Sequence, residues 1–332
     1  MLYLCGGKIL RVKQILNIIK DWMLPIAIAT GILSYLILHF IPVLRENVEP
    51  WFSVFAKDVQ PIFMATMLFL QFNRISPHDL KFKPWHFWML AFQMVSFGAM
   101  ALLAVGLPDG EMKILAESAM LCFVCPTAAA AGVITSKLGG KLSDTVTYVV
   151  LINIAVTIAI PLVVPLVKGS SDMSFFQGVL AISKRIFPLL VMPLLLAWVI
   201  RYCFRKLQRK LMRYTDWAFY CWGMALCLSI YLATRAMILS GTSAWTGVGI
   251  GVISLIACFI QLAVGHAIGK RYGSSEAITA QQALGQKNSG FLIWVGYSFL
   301  TPVTSVAGGL YSIWQNLVNS LELYQAKKSQ NI

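Results

Sequence analysis

The sequence predicts an all-α integral membrane protein: ten transmembrane helices in two inverted five-helix repeats, with broken, crossing helices as the fourth and ninth spans. Three observations carry that expectation. The composition is too apolar for a water-soluble fold: 58% of the 332 residues are hydrophobic, 12% are charged and the mean hydropathy is +0.73, whereas soluble domains average about 25% charged residues. The apolar residues fall in long runs without alternation, which fits helices and not the short alternating strands of a membrane β-barrel. Two of these runs are interrupted by helix breakers at matching ordinal positions.

Taken in order, residues 1–21 are a basic lead-in. Within it Ile9, Val12, Ile15, Leu16 and Ile19 share one helical face, with Lys13, Gln14, Asn17 and Lys20 mostly opposite. That is the pattern of an amphipathic helix on the inner leaflet, and a simple charged approach to the first span fits equally. No small-residue cleavage site follows a short apolar core, so no signal peptide is expected. A helical crossing needs about 20 mostly apolar residues. Ten runs meet that length: 22–41, 52–72, 85–107, 112–136, 145–167, 177–200, 214–239, 245–268, 276–300 and 301–323. Five precede Gly169-Ser170-Ser171-Asp172 and five follow. An odd number of spans per half gives the halves opposite orientations, as in an inverted repeat. The first repeat is therefore 22–168 and the second 169–323, with 324–332 as a cytoplasmic tail.

The net charge of +14 would suit a nucleic-acid partner, but its distribution argues against one. With the amino terminus inside, most of the basic residues fall on one side of the membrane. They include Arg74, Lys81 and Lys83, Lys137 and Lys141, six residues between Arg201 and Arg213, and Lys270 and Arg271. This positive-inside bias sets both termini in the cytoplasm of a cell (inner) membrane. Trp22, Trp51, Trp85, Trp217 and Trp245 stand near span ends as an aromatic belt. The lipid bilayer is thus one partner, and no nucleic acid is expected.

The chemistry concentrates at the two interruptions. In the fourth span, Pro126 removes a backbone donor and clashes with the preceding turn, freeing carbonyls around Phe123 to Cys125 and opening a new helix start near Thr127, Ala128 and Ala129. In the ninth, Gly285-Gln286-Lys287-Asn288-Ser289-Gly290 places a lysine near the middle of a spanning segment. Such a charge costs roughly 2.5–3.5 kcal/mol on insertion scales and faces a partner or a watery cavity. Unwound backbone at that depth lines protein-enclosed space. Two new helix starts crossing at mid-membrane would aim free N–H groups at one point, an anion site made of backbone. The ammonium of Lys287 would pair with backbone carbonyls and glutamine side chains. If it titrates during the cycle, proton movement drives transport; if it stays charged, it is a fixed counter-ion for an anionic substrate.

At these residues the chain resembles the bile acid:sodium symporter family and its bacterial relatives, over most of its length. The resemblance rests on Pro61 to Leu80, on Ala91-Phe92-Gln93, on Cys125-Pro126-Thr127 through Val133-Ile134-Thr135, on Gly285 through Asn288-Ser289-Gly290, and on Tyr311-Ser312-Ile313-Trp314-Gln315-Asn316. It implies two inverted five-helix repeats and alternating-access transport of an organic anion, with substrate held near Thr127, Ala128, Ala129, Lys287, Asn288, Ser289, Gly290 and Asn316. The family's coupling-ion residues map to Gln93, Ala131, Gly132, Thr145, Gln282, Ala283, Gln286 and Lys287. The sodium-ligand Ser-Asn pair becomes Ala131-Gly132 and the glutamate becomes Ala283, with Gln282 beside it. Carboxylates are absent from these positions, which argues against sodium coupling and leaves Lys287 as a surrogate cation. Sodium or a proton is the candidate coupling ion, and no organic cofactor is expected.

Other polar residues carry less. Asn153 and Asn316 read as hydrogen-bond glue between helices, worth about 0.6 kcal/mol on average. His266 reads as interfacial, and Arg235 as either snorkelling at the outer end of its span or steering anions inward. Seven cysteines are scattered, with Cys122 and Cys125 one turn apart beside Pro126. A soft-metal thiol site needs converging ligands, so two cysteines alone leave an arsenite-efflux-like pump as the alternative. A membrane receptor with a transporter fold is a second alternative. An enzyme is not expected: the four histidines do not cluster, and no serine or cysteine nucleophile has a base nearby.

Overall fold

The computed structural model describes residues 22–128, 130–169 and 174–330. The lead-in, Ala129 and most of the 169–173 connection lie outside the described residues. The fold is helical throughout, and among the described residues the one extended pairing is an isolated bridge.

In chain order the helices are α1 (Met23–Phe40), α2 (Pro42–Asn47), α3 (Glu49–Phe72), α4 (Pro84–Gly106), α5 (Glu111–Val124), α6 (Ala131–Lys137), α7 (Leu142–Lys168) and α8 (Phe175–Leu190). They continue with α9 (Met192–Cys203), α10 (Arg205–Leu211), α11 (Trp217–Leu239), α12 (Ala244–Lys270), α13 (Ser274–Gly285), α14 (Ser289–Phe299) and α15 (Val306–Gln330). Six of them are long and apolar enough to cross a membrane: α1, α3, α4, α7, α11 and α12. The bent pair α8 and α9 makes a seventh crossing if it is one span. The bend there is 41° and has a cause in the sequence: Pro193 lacks the N–H that would reach the Leu189 carbonyl. The predicted fourth and ninth runs appear as the separate pairs α5/α6 and α13/α14. The predicted tenth run is a 3₁₀ turn, Pro302–Ser305, followed by α15, which stays helical past residue 323 into the predicted tail.

Large apolar side chains cover the outside of the helix assembly. Leu102 is 75% exposed, and Val95, Trp88 and Phe176 are similarly open. In water this surface would be an aggregation liability, and in lipid it is an ordinary one. The protein is therefore described as a helical, membrane-embedded chain. Trp22, Trp51, Trp217 and Trp245 are exposed as a belt requires, but Trp85 is buried, with its ring against His86 at 4.0 Å. It is a core residue, because α4 turns that face inward.

Inside, the main core gathers residues of α3, α4, α5, α7, α12, α14 and α15. Helices α12 and α13 meet backbone to backbone. A Cβ on Gly265 would sit 2.5 Å from the Ala280 oxygen, and one on Gly269 would sit 2.2 Å from the Glu276 oxygen. Glycines four apart let the two backbones touch, and α13 is thereby fixed as a rigid partner of α12. At one end of the assembly, ions tie three helix starts together. Lys83 meets Asp144 at 2.6 Å and Glu276 at 3.9 Å, and Lys141 pairs with Glu276.

Candidate functional site

The two breaks meet. Pro126 forbids helix at the residue before it, so Cys125 is extended (φ −54°, ψ 130°) and α5 stops at Val124. On the other strand Gln286 is extended (φ −83°, ψ 111°), and the Asn288 side chain caps α14 by accepting from Phe291 N. The unwound segments then run antiparallel and pair Thr127 with Lys287. Ala128 N donates to the Gln286 oxygen at 2.8 Å, and Asn288 N donates to the Pro126 oxygen at 2.9 Å. The Thr127 hydroxyl donates to the Ala283 oxygen at 2.6 Å, and the Cys125 thiol to the Asn288 oxygen at 3.1 Å.

Thr127, Ala128, Lys287, Asn288, Ser289 and Gly290 are thus brought together as the sequence suggested. Their N–H groups are used differently. Those of Ala128, Asn288 and Ser289 bond to backbone oxygens of the breaks themselves, so in this conformation the crossing binds itself and does not present them to an anion. Asn316 stands one residue from the contact: its amide donates to the Ser312 oxygen of its own helix, as Asn153 does to Val149. Among the described residues neither asparagine hydrogen-bonds to a second helix, which corrects the reading of both as interhelical glue.

That joining role falls to glutamines. Gln315 accepts from Lys287 N at 2.7 Å and donates to the Lys287 oxygen at 3.1 Å. Gln93 donates to the Cys125 oxygen at 2.9 Å while accepting from Tyr148. Gln261 donates to the Cys122 oxygen at 3.2 Å and to the Tyr311 hydroxyl, which donates on to the Gly285 oxygen. Gln60 donates to the Gly290 oxygen at 3.1 Å and to Ser229. Broken helices leave orphan carbonyls, and a buried orphan costs about 1–3 kcal/mol. A long amide on a neighbouring helix relieves this cost at the Cys122 and Cys125 oxygens, and Gln60 and Gln315 add a second donor at the Gly290 and Lys287 oxygens.

Lys287 is the exception. Its side chain is 0% exposed and its ammonium has no hydrogen-bond partner among the described residues. The carbonyl and glutamine pairing expected for it is not made, because Gln315 takes its backbone and not its nitrogen. Cys122, Cys125 and Cys258 are buried in the same core, so a third cysteine joins the pair beside Pro126 there. Even so, no three His, Cys, Asp or Glu among the described residues are placed to hold a metal ion.

The mapped coupling-ion residues are all buried, and most have protein partners. Ala131 and Thr145 are linked through Thr135: its hydroxyl donates to the Ala131 oxygen and lies 3.2 Å from that of Thr145. Gly132 packs beneath Leu142. Gln286 exchanges amide hydrogen bonds with Asn319. Gln282 donates to the Glu322 carboxylate at 2.6 Å, and Gln281 donates to its other oxygen. Glu322 thus supplies the carboxylate that the local sequence lacks at this position. It comes from α15, forty residues along the chain, and only the spacing of Gln315, Asn319 and Glu322 on one helical face could have signalled it. Arg235 does not stand free: it pairs with Glu49 at 2.6 Å and meets the Tyr297 hydroxyl at 3.3 Å.

Comparison of the sequence with protein-family models gives no match, and comparison with curated proteins gives none either.

Proposed function

We propose that this chain is a secondary transporter of small or amphipathic organic anions, of the bile acid:sodium symporter type, working by alternating access. The observation that carries this reading is a fully buried lysine side chain with no hydrogen-bond partner among the described residues, at the crossing of two broken helices. An uncompensated charge costs several kcal/mol to bury, and it is worth keeping where a ligand of opposite charge visits. In this reading the ten runs are ten spans in two inverted repeats, and both termini lie on the cytoplasmic side of the inner membrane. The conformation described is occluded. Opening separates the breaks, releases the N–H groups of Ala128, Asn288 and Ser289, and lets an anionic group sit between them and Lys287.

Two features bear on coupling. Lys287 already supplies a positive charge where a sodium ion would serve in the family it resembles. Glu322, hydrogen-bonded to Gln282, supplies a negative one that a proton or sodium ion could neutralise. The test is uptake of labelled organic anions into proteoliposomes carrying wild type or Lys287→Ala, with sodium and proton gradients imposed in turn. Sodium-independent uptake that is lost in the variant is the expected outcome. Sodium-driven accumulation in both proteins overturns the surrogate-cation role. The absence of anion uptake under any gradient overturns the transporter reading.

A further inference from the structure

The connection from the end of α9 to the start of α11 holds a feature that the crossover does not explain. Residues 201–213 (RYCFRKLQRKLMR) contain six basic and no acidic side chains. Insertion topology alone asks only that such charges lie on one side. Here they are also arranged in space. At Phe204 the chain turns (φ −128°, ψ 59°) between α9 and α10, and a concave site opens there, lined by Arg201, Tyr202, Arg205, Gln208 and Arg209. Arg201 and Gln208 are steadied by the Asn73 oxygen at 3.4 and 3.5 Å, and the Tyr202 hydroxyl meets His78 Nδ1 at 2.9 Å. Arg205 and Arg209 have no hydrogen bond or ion pair among the described residues, so their guanidinium groups are open to a ligand.

The same segment presents apolar side chains outward. Phe204, Leu207, Met212 and Tyr214 are all exposed. Since the segment joins two membrane-embedded helical stretches, it lies at the bilayer surface by connectivity. Apolar side chains dipping into the acyl boundary set the arginines at the level of lipid phosphates. Guanidinium groups match phosphate oxygens in a planar, two-pronged way that ammonium groups do not. Basic pockets at helix ends on the membrane surface suit anionic headgroups.

We infer that the Arg201, Arg205 and Arg209 pocket binds the phosphate of an anionic phospholipid and fixes the α9–α11 connection to the membrane surface. The site is independent of the transport reading and of Lys287.

The test uses the purified full-length protein in detergent, melted by tryptophan fluorescence with phosphatidylglycerol, with phosphatidylcholine of the same acyl chains, or with inorganic phosphate. Native mass spectrometry counts retained lipid in parallel. Phosphatidylglycerol should raise the melting temperature and remain bound, while phosphatidylcholine and free phosphate should do neither. Arg205→Gln with Arg209→Gln should abolish both effects, and both changed residues are exposed and unpaired, so folding is preserved. Lys137→Gln, Lys270→Gln and Arg271→Gln together should leave both effects intact. An equal loss in that second variant would mean diffuse charge attraction and would sink the pocket. An equal rise with inorganic phosphate would overturn the lipid assignment, as would no difference between the two lipids.

Discussion

The two helix breaks cross at one point but are built on different physics. The first is steric: proline ends α5, the residues after it are small and neutral, and α6 is a seven-residue stub without a side-chain cap. The second carries its own chemistry. Glycine ends α13, Asn288 caps an eleven-residue α14, and between them the Lys287 side-chain nitrogen has no hydrogen-bond partner among the described residues. One break is a scaffold and the other a charge held at a cost. In the proposed transporter a ligand acts through the second, and the first gives it a wall of backbone.

The largest effects should come from the charge. Lys287→Met should abolish anion uptake and at the same time raise the melting temperature, because it removes a buried charge whose penalty is on the order of several kcal/mol. Thr127→Val, its opposite number, should lower the melting temperature by breaking the bond to the Ala283 oxygen. Opposite signs at paired positions are the signature of the difference between the breaks. A fall in stability for Lys287→Met would mean that the ammonium holds the fold together.

The glutamines give a second comparison. Gln315→Leu leaves the Lys287 N–H unpartnered while its oxygen keeps the Ser289 N–H, whereas Gln93→Leu orphans both the Cys125 oxygen and the Tyr148 hydroxyl. One buried orphan should cost about 1–3 kcal/mol in Gln315→Leu and two about 2–6 kcal/mol in Gln93→Leu, read as a larger fall in melting temperature for Gln93→Leu. Transport should part them the other way: uptake should fall further in Gln315→Leu than in Gln93→Leu, since only Gln315 positions the segment that bears the charge. Equal uptake in the two would make Gln315 a purely structural clamp.

Glycine substitutions separate the supports of the two breaks. Gly265→Ala drives a methyl against the Ala280 backbone at 2.5 Å, and backbone of a packed helix does not yield, so about 1–3 kcal/mol should be lost. Gly132→Ala meets only a Leu142 methyl at 2.6 Å, on an exposed side chain that can rotate away. There the gain in helix propensity, about 0.5–1 kcal/mol, should leave stability unchanged or higher. Melting temperatures of the two single variants decide the point.

Much of this was legible in the sequence, and its limits were physical. Each predicted apolar run coincides with a helix or helix pair, because an apolar run of that length has few other ways to satisfy its backbone. Both breaks fall where Pro126 and Gly285 put them, because local sterics decide a break. What could not be read was which side chains serve the freed carbonyls. Gln60, Gln261 and Gln315 sit in apolar runs like any tolerated amide, and only the crossing of distant helices gives them their acceptors. Glu322 was hidden for the same reason, being far along the chain from the Gln282 it accepts from. Trp85 departs from the belt because position near a span end says nothing about which way a helix face turns. Trp85 faces the core.

The smallest effect tests the same contrast at the surface, where α13 begins. Lys141 lies just before α7 and hydrogen-bonds Glu276, which holds its ammonium above the ordinary lysine value of 10.5. A group whose folded value is raised contributes in full below its unfolded value and loses that contribution as pH rises through the folded one. Lys141→Met should therefore melt slightly below wild type at pH 8, and the gap should close as the pH passes well above 10.5. The gap should also shrink in high salt, because exposed pairs are screened. A gap that persists at high pH would show that Lys141 acts by packing its methylenes against α13, and would place the anchoring of the second break in the α12 glycines alone.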